Sequence, residues 1–150
     1  MNRKGKRGVT LIELVVVIAI IAIGAVLVAP NIGAWIPNYR LRGATRDVVS
    51  ALRTAQMKAI SYNTEYQIVF DPGARNYVLQ YKNTGGIFVN EGTAQPLPSG
   101  VIISGISLPA YTAHFNPNST SSTGSLTLQN AKGSKRTISL TTATGRVNVN

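Results

Sequence analysis

The chain has 150 residues and a formal net charge of +10, because 15 Lys and Arg face 5 Asp and Glu; it contains one His and no Cys. The lack of cysteine excludes disulfides, thiol nucleophiles and cysteine-ligated zinc or iron–sulfur sites. One histidine, His114, is too few for a histidine-ligated zinc ion, and five scattered acids disfavour a two-carboxylate hydrolase. The composition therefore predicts no enzyme, no catalytic residue, no metal site and no cofactor.

The first thirty residues combine a basic start with a long apolar run. Residues 1–8 hold four basic residues and no acid, and residues 9–29 are interrupted by one charge, Glu13. A helix of 21 residues spans about 31 Å at ~1.5 Å per residue, which matches the hydrocarbon core of a bilayer. Positive charge ahead of such a run stays on the cytoplasmic side. The sequence predicts a transmembrane helix over 9–29 with the remainder of the chain outside the cytoplasm.

Three interpretations of this segment remain open on the residues alone. A cleaved secretory signal would be cut after Ala29, but Pro30 follows and is a poor residue to present to a peptidase. A plain anchor leaves Glu13 unexplained, because a carboxylate within the bilayer costs roughly 2.5–3.5 kcal/mol on insertion scales. A cut between Gly8 and Val9 would instead release a free amine close to Glu13. The cost of burying Glu13 favours a segment in which this carboxylate meets a positive partner after packing.

A helical period continues beyond the apolar run to about Tyr62. Apolar residues recur at spacings of three and four along one stripe: Leu41, Ala44, Val48, Leu52, Ala55 and Ala59 or Ile60. Pro30 and Pro37 each remove a backbone donor, which predicts a kink or local opening of the helix. We predict one long, bent helix from Val9 to about Tyr62, apolar over 9–29 and amphipathic over 30–62.

Basic residues lie on another face of this amphipathic segment. Arg42, Arg46 and Arg53 share that face, with Arg40 and Lys58 nearby. One interpretation is a solvated helix face. The other is contact with a neighbouring subunit or with anionic lipid headgroups, at about 1 kcal/mol per charge.

Residues 63–150 read as a β-rich domain. Short runs of alternating apolar and polar residues, separated by turn signals, predict strands. The predicted strands are Thr64–Asp71, Asn76–Lys82, Ile87–Asn90, Val101–Ser104, Tyr111–Phe115, Ser125–Gln129, Arg136–Thr141 and Arg146–Val149. The sequence thus predicts an α+β fold, in which a long N-terminal helix packs on an antiparallel sheet pair or sandwich. His114 falls within a predicted strand and is interpreted as structural.

The junction between the basic start and the apolar run carries a specific motif. The sequence KRGVTLIE at residues 6–13, followed by a run of Val and Ile and then Pro30, resembles the prepilin signature of type IV pilins and type II secretion pseudopilins. Val9 stands where that family most often has Phe. The resemblance implies that residues 1–8 are a leader peptide, which a prepilin peptidase removes after Gly8 before N-methylating Val9. It also implies that Glu13 contacts the amine of a neighbouring subunit during filament assembly.

Two stretches later in the sequence indicate which pseudopilin family the chain resembles. The sequence LRTAQMKAI at residues 52–60, which leads into the first strand, and the closing strands from Gly124 to Val147 resemble a GspH/FimT-type pseudopilin domain. This implies a minor pseudopilin of a type II secretion pseudopilus, which helps to initiate or cap the filament that drives protein export. It would cross the inner membrane once and carry residues 63–150 in the periplasm, with other pilins or pseudopilins as partners. The alternative is a FimT-like minor type IV pilin with a role in pilus assembly or DNA uptake.

The end of the chain is a candidate contact for polyanions. Beyond Glu91 there is no acid, and there are four basic residues: Lys132, Lys135, Arg136 and Arg146. Such a surface attracts polyanions without sequence preference. A hairpin of the last two strands would bring Arg136 and Val149 to one end and Arg146 to the other. The sequence therefore predicts a split patch that binds DNA weakly and releases it near physiological salt.

Overall fold

The computed structural model describes residues 9–142 and 145–150, with the side chains of residues 27–32 and 34 outside the described set. The chain divides into a first unit that ends at Ile36 and a second unit, Pro37–Asn150. The described elements are the helix α1 (Leu11–Ser61), a 3₁₀ turn (Pro109–Tyr111) and the strands β1 (Tyr66–Asp71), β2 (Asn76–Lys82), β3 (Phe88–Asn90), β4 (Gln95–Pro96), β5 (Val101–Ile106), β6 (Thr112–Phe115), β7 (Gly124–Asn130), β8 (Lys135–Thr141) and β9 (Arg146–Val149).

The predicted helix from Val9 to about Tyr62 is confirmed to within two residues at its start and one at its end. The assigned helix is continuous through Pro30 and Pro37, so neither proline ends it. It stops where the backbone of Asn63 takes a positive φ of 49°, a conformation that Asn tolerates better than most residues. A kink at Pro30 stays a prediction.

The strands form two antiparallel sheets, as predicted. The first sheet has the order β3-β2-β1-β6, with β4 added to β2, and the second has the order β5-β7-β8-β9. In the second sheet Ile138 of β8 pairs with Val149 of β9, and Thr141 pairs with Arg146. The last two strands therefore form the hairpin that their alternating pattern predicts.

One hydrophobic cluster joins the second half of α1 to both sheets. The predicted helical stripe is buried from Leu41 to Ala59, whereas Ile60 is 46% exposed, so the stripe ends at Ala59. The strands contribute the alternate residues that face this stripe: Tyr66, Ile68, Phe70, Tyr77, Val101, Ala113, Phe115, Leu126, Leu128, Ile138 and Leu140. All these residues belong to the second unit, so the amphipathic part of α1 is an integral part of that unit's core.

Two local features differ from the predicted strands. The short strand β4 was not predicted, because Gln95-Pro96 is too brief to show alternation and Pro is rare within strands. Tyr111 was predicted to begin a strand, but it lies in the turn Pro109–Tyr111 with a φ of 58°. The fixed φ of Pro109 favours a turn there, and the strand begins one residue later at Thr112.

Candidate functional site

The start of α1 carries the predicted processing and assembly residues. Thr10 precedes the helix, and its Oγ1 accepts a hydrogen bond from the N–H of Glu13 at 3.3 Å. The spacing Thr-x-x-Glu is that of a capping box, and a carboxylate in the first turn also gains about 0.3–1 kcal/mol from the helix dipole. The backbone N–H of Glu13 is thus capped by Thr10, a local contact that the sequence analysis missed although the Thr-x-x-Glu spacing was its signal. Gly8 and the rest of the predicted leader lie outside the described residues.

The first turns of α1 present an apolar surface to solvent. Every described side chain from Val9 to Val26 is exposed in the isolated chain, from 47% for Val17 to 81% for Leu11 among the large ones. A helix that is apolar on all sides needs a covering environment. Across the described part of the chain, no helix is both long and apolar enough to cross a membrane. The predicted span includes residues 27–29, whose side chains are outside the described set, and it stays a prediction.

A basic groove lies within the second unit, between α1 and the end of the second sheet. We call it the arginine groove and define it by Arg42, Arg46, Arg53 and Arg136. It has a volume of about 800 Å³, and Val49, Met57 and Val149 add apolar surface to its lining. At 3.6 residues per turn the three helical arginines fall within about 40° of one another. One helix stripe and one strand residue thus create the groove.

The alternation of β8 explains why Arg136 faces the helix. Ile138 and Leu140 are buried in the core, and Arg136 lies on the same face two residues before Ile138. Lys135 therefore lies on the opposite, outer face of the sheet, where it is exposed. Arg136 is the inward-facing residue at the position where the apolar core ends.

Two contacts fix the closing strands along α1. The side chain of Asn130, at the end of β7, donates to Asn38 Oδ1 at 2.8 Å, while its own Oδ1 accepts from the N–H groups of Lys132 and Ser134. At the other end of the hairpin, Gly145 lies against the side chain of Gln56. The β7–β8 turn therefore lies beside the beginning of the amphipathic helix, which brings Arg136 to the helical arginines.

Among the described residues, none of the four guanidinium groups of the arginine groove forms an ion pair. Arg42 and Arg46 are a like-charge pair at i and i+4, which costs about 0.2–0.5 kcal/mol in a helix. Asp47 follows Arg46 but lines a separate hollow on the β2 side of the helix. The arginine groove is thus a concentration of uncompensated positive charge.

Two acids of the second unit form ion pairs outside the arginine groove. Glu65 accepts from Lys82 at 2.9 Å and lies 3.1 Å from His114 Nε2. Glu91 accepts from Lys58 at 2.5 Å. His114 thus occupies a structural position at the sheet surface, as the sequence predicts.

Burial and charge shift the pKa of three groups. The hydrogen bond from Lys82 holds the pKa of Glu65 below its ordinary value, although partial desolvation opposes the shift. Burial raises the pKa of Tyr66, and the neighbouring charge of Glu91 raises it further. Burial, helped by Asp47, also raises the pKa of Tyr77. Neutral tyrosines and a charged Glu65 are the states that this fold favours.

The four basic residues of the candidate polyanion contact, for which the sequence predicts a split patch, lie apart in the structure. Lys132 lies in the β7–β8 turn, Lys135 and Arg146 lie on the outer face, and Arg136 faces the arginine groove. Arg146 pairs with Thr141, five residues along β8 from Arg136, or roughly 17 Å at about 3.4 Å per residue. The sequence did not associate Arg136 with Arg42, Arg46 and Arg53, because no local pattern relates a helix to a strand so far along the chain.

Within residues 9–142 and 145–150, no group of three or more His, Cys, Asp or Glu is arranged to hold a metal ion.

Two solved structures share this fold. The minor pseudopilin EpsH from the type II secretion system of Vibrio cholerae matches with a TM-score of 0.64 at 9% identity, covering 74% of this chain and 96% of that one. The type IV minor pilin FimU of Pseudomonas aeruginosa matches with a TM-score of 0.59 at 13% identity, covering 75% and 90%. A long N-terminal helix packed on antiparallel sheets is thus the fold of the pilin-like proteins.

Comparison of the sequence with protein families identifies one family within the pilin-like proteins. Residues 3–29 match the prokaryotic N-terminal methylation motif, and residues 44–145 match the family described as type II transport protein GspH. Because the second match covers more than half of the chain, the protein belongs to the GspH family. The predicted resemblance is confirmed.

A curated relative agrees with this assignment. The chain is 35% identical over 75 residues to the type II secretion system protein H of Xanthomonas campestris pv. campestris. That match covers 50% of this chain and 44% of the relative, so the chain spans less than half the length of the curated relative that it matches.

Proposed function

We propose that the protein is a non-enzymatic minor pseudopilin of a type II secretion pseudopilus, where it helps to initiate or cap the filament. The observation that carries the proposal is the exposed apolar start of α1, which lies within the residues that match the methylation motif. Such a surface fits a subunit that is held first in a membrane and then among the helices of its neighbours.

The proposal also assigns a location and partners. Residues 9–29 would anchor the chain in the inner membrane, and the second unit would lie in the periplasm. A prepilin peptidase would cleave after Gly8 and methylate Val9, and other pseudopilins would contact the mature helix. Membership of the GspH family supports these assignments.

A minor type IV pilin is the second candidate, and the likeness to FimU favours it. That likeness concerns the fold alone, whereas the family match is to a type II transport protein. Purification of the two filament types from a host that makes both would separate the candidates. We expect the chain in the pseudopilus fraction, and its exclusive presence in type IV pili would reverse the order.

Processing provides the first test. We expect the mature protein from its native host to begin at Val9, and Gly8→Leu to accumulate uncut precursor in the inner membrane, because a bulky side chain blocks the cut. Mass spectrometry of the intact protein measures both. A mature chain that retains Met1, or one cut after Ala29, contradicts the proposal.

Glu13 provides the second test, and its capping contact calls for matched variants. Glu13→Gln places a neutral amide at the capping-box position and so removes only the charge. Thr10→Ala removes the cap and keeps the charge of Glu13. We expect Glu13→Gln and Glu13→Ala to lower incorporation into filaments at least about ten-fold, since the neighbouring amine loses its carboxylate partner.

The control variant is expected to behave differently. Thr10→Ala should leave incorporation near the wild-type level, because a lost cap costs about 1 kcal/mol and leaves the charge in place. Quantitative immunoblots of purified filaments and of membranes measure incorporation and insertion. If Glu13→Gln is incorporated as well as the wild type while Thr10→Ala is not, the cap that Thr10 supplies is what assembly needs, and the pairing role of Glu13 is wrong.

A further inference from the structure

We propose that the arginine groove and the open edge of β9 together bind an extended acidic segment of a neighbouring subunit. The choice of a pseudopilin as that neighbour rests on the proposed function. The chemistry of the segment follows from the structure alone: carboxylates at alternate positions and a β-strand backbone.

The arginine groove concentrates positive charge. Four guanidinium groups line one groove, and none of them has a carboxylate partner among the described residues. Arg136 is partly buried on the face of the sheet that otherwise carries core residues. An arginine in a semi-enclosed groove binds carboxylates strongly, because its planar fork can donate two parallel hydrogen bonds.

Strand β9 has an open edge. This strand ends the order β5-β7-β8-β9, so among the described strands it has a partner on one side. Thr137 and Asn150 exchange both of their backbone hydrogen bonds, at 3.0 and 2.9 Å. In an antiparallel ladder such pairs alternate with open ones, so the N–H and C=O groups of Val147 and Val149 point away from β8. Two residues of β9 can therefore accept an added strand.

The groove and the edge adjoin each other at Val149. Val149 lines the arginine groove with its side chain and offers its backbone to the open edge. Alternate side chains of a strand added to β9 would point to the helix side of the sheet, where the arginines lie. The segment that fits both features is extended and carries acidic side chains on one face.

The lining favours a peptide over a nucleic acid. Val49, Met57 and Val149 give the groove an apolar component, and Met57 is 60% exposed. A peptide strand can cover these side chains and satisfy the backbone groups of β9, whereas a phosphodiester backbone carries no N–H donors for the edge carbonyls.

Binding of defined probes to the full-length chain in a neutral detergent tests the proposal. The probe is a short fluorescein-labelled peptide that alternates Glu with Thr and Val, and the matched probe replaces each Glu by Gln. We expect the acidic peptide to bind at low salt, and the Gln peptide to bind at least about ten-fold more weakly, because charge-assisted hydrogen bonds are lost.

Three variants locate the site. Arg136→Gln should weaken binding about ten-fold or more, whereas Lys135→Gln, which removes the same charge one residue earlier on the outer face, should change it less than about two-fold. Val149→Pro should also weaken binding, since it removes an outward N–H and no bond to β8. Thermal unfolding of each variant verifies that the fold is intact.

Several outcomes would overturn the proposal: equal binding of the two peptides, no binding of either, equal losses in Arg136→Gln and Lys135→Gln, or an unchanged affinity in Val149→Pro. Tighter, Arg136-dependent binding of a single-stranded thymidine oligonucleotide would make the arginine groove a nucleic-acid site instead. Incorporation of the Glu13 variants into filaments is measured independently, so a failure here is distinguishable from a failure of the proposed function.

Discussion

At the scale of single residues, the ion pairs of the second unit make its stability depend on pH. The hydrogen bond and charge of Lys82 lower the pKa of Glu65 from its ordinary value of 4.5. Because the folded pKa lies below the unfolded one, the stabilisation is present above about pH 4.5 and is lost as the pH falls through the folded pKa. Glu65 therefore contributes to the acid sensitivity of the fold.

This predicts a pH-dependent effect of Glu65→Gln. We expect the variant to lower the free energy of unfolding by about 0.5–1 kcal/mol near pH 7, a value typical of a partly exposed pair. The difference from the wild type should shrink at an acid pH that lies below the folded pKa of Glu65, where the wild-type carboxylate is protonated. Urea unfolding at both pH values measures it, with Lys82→Gln as the matched removal of the partner. A difference that is constant with pH would show that the charge of Glu65 does not stabilise the fold.

At the scale of elements, the sequence predicts most of the structure because each segment has a clear period. The stripe from Leu41 to Ala59 has the helical period, and β1, β7 and β8 alternate between buried and partly exposed positions. β4 escapes prediction because two residues have no period. The cap on the N–H of Glu13 escapes prediction for a different reason: the resemblance assigns a role to the charge of Glu13, whereas the cap involves its backbone in the first helical turn.

A close approach at Gly145, just before β9, yields a second prediction. Gly145 has a φ of 58° and is packed so that a Cβ atom would clash with the Gln56 amide and lie 3.1 Å from Ser119 O. Gly86 has a φ of 79° but open space around it. We expect Gly86→Ala to cost about 1–2 kcal/mol for the backbone conformation alone. Gly145→Ala should cost about 1–3 kcal/mol more, because its Cβ would also crowd the backbone carbonyl of Ser119 and displace the side-chain amide of Gln56.

Chemical denaturation of the two glycine variants measures these losses. Circular dichroism of the folded states confirms that both keep the sheets. Equal losses for Gly145→Ala and Gly86→Ala would mean that Gln56 and Ser119 give way to the added Cβ at no cost, and the close approach at Gly145 would then have no role in fixing the hairpin.

At the scale of the whole molecule, the arginine groove is the feature that sequence reasoning could not find. Its helical half was recognised as a basic face, and Arg136 was recognised as part of a basic end. Arg136 lies beside the helical arginines because the second sheet packs its inner face on α1 and because the side chain of Asn130 donates a hydrogen bond to that of Asn38. Such tertiary placement leaves no periodic trace in the sequence, whereas each contributing element does.

The division of the chain predicts that the second unit folds without the first. Among the side chains that the structure describes, every buried hydrophobic residue lies between Leu41 and Leu140, so removal of residues 1–36 takes away no described core side chain. We expect residues 37–150, purified without detergent, to unfold in one cooperative transition.

In this fragment Leu52→Ala should cost about 2–5 kcal/mol of unfolding free energy because Leu52 is fully buried. Met57→Ala, on the exposed side of the same helix, should change it by no more than about 0.5 kcal/mol. Urea titrations followed by circular dichroism measure both. A fragment that needs detergent to stay in solution, or equal losses in the two variants, would show that the amphipathic part of α1 is not covered by the sheets in solution.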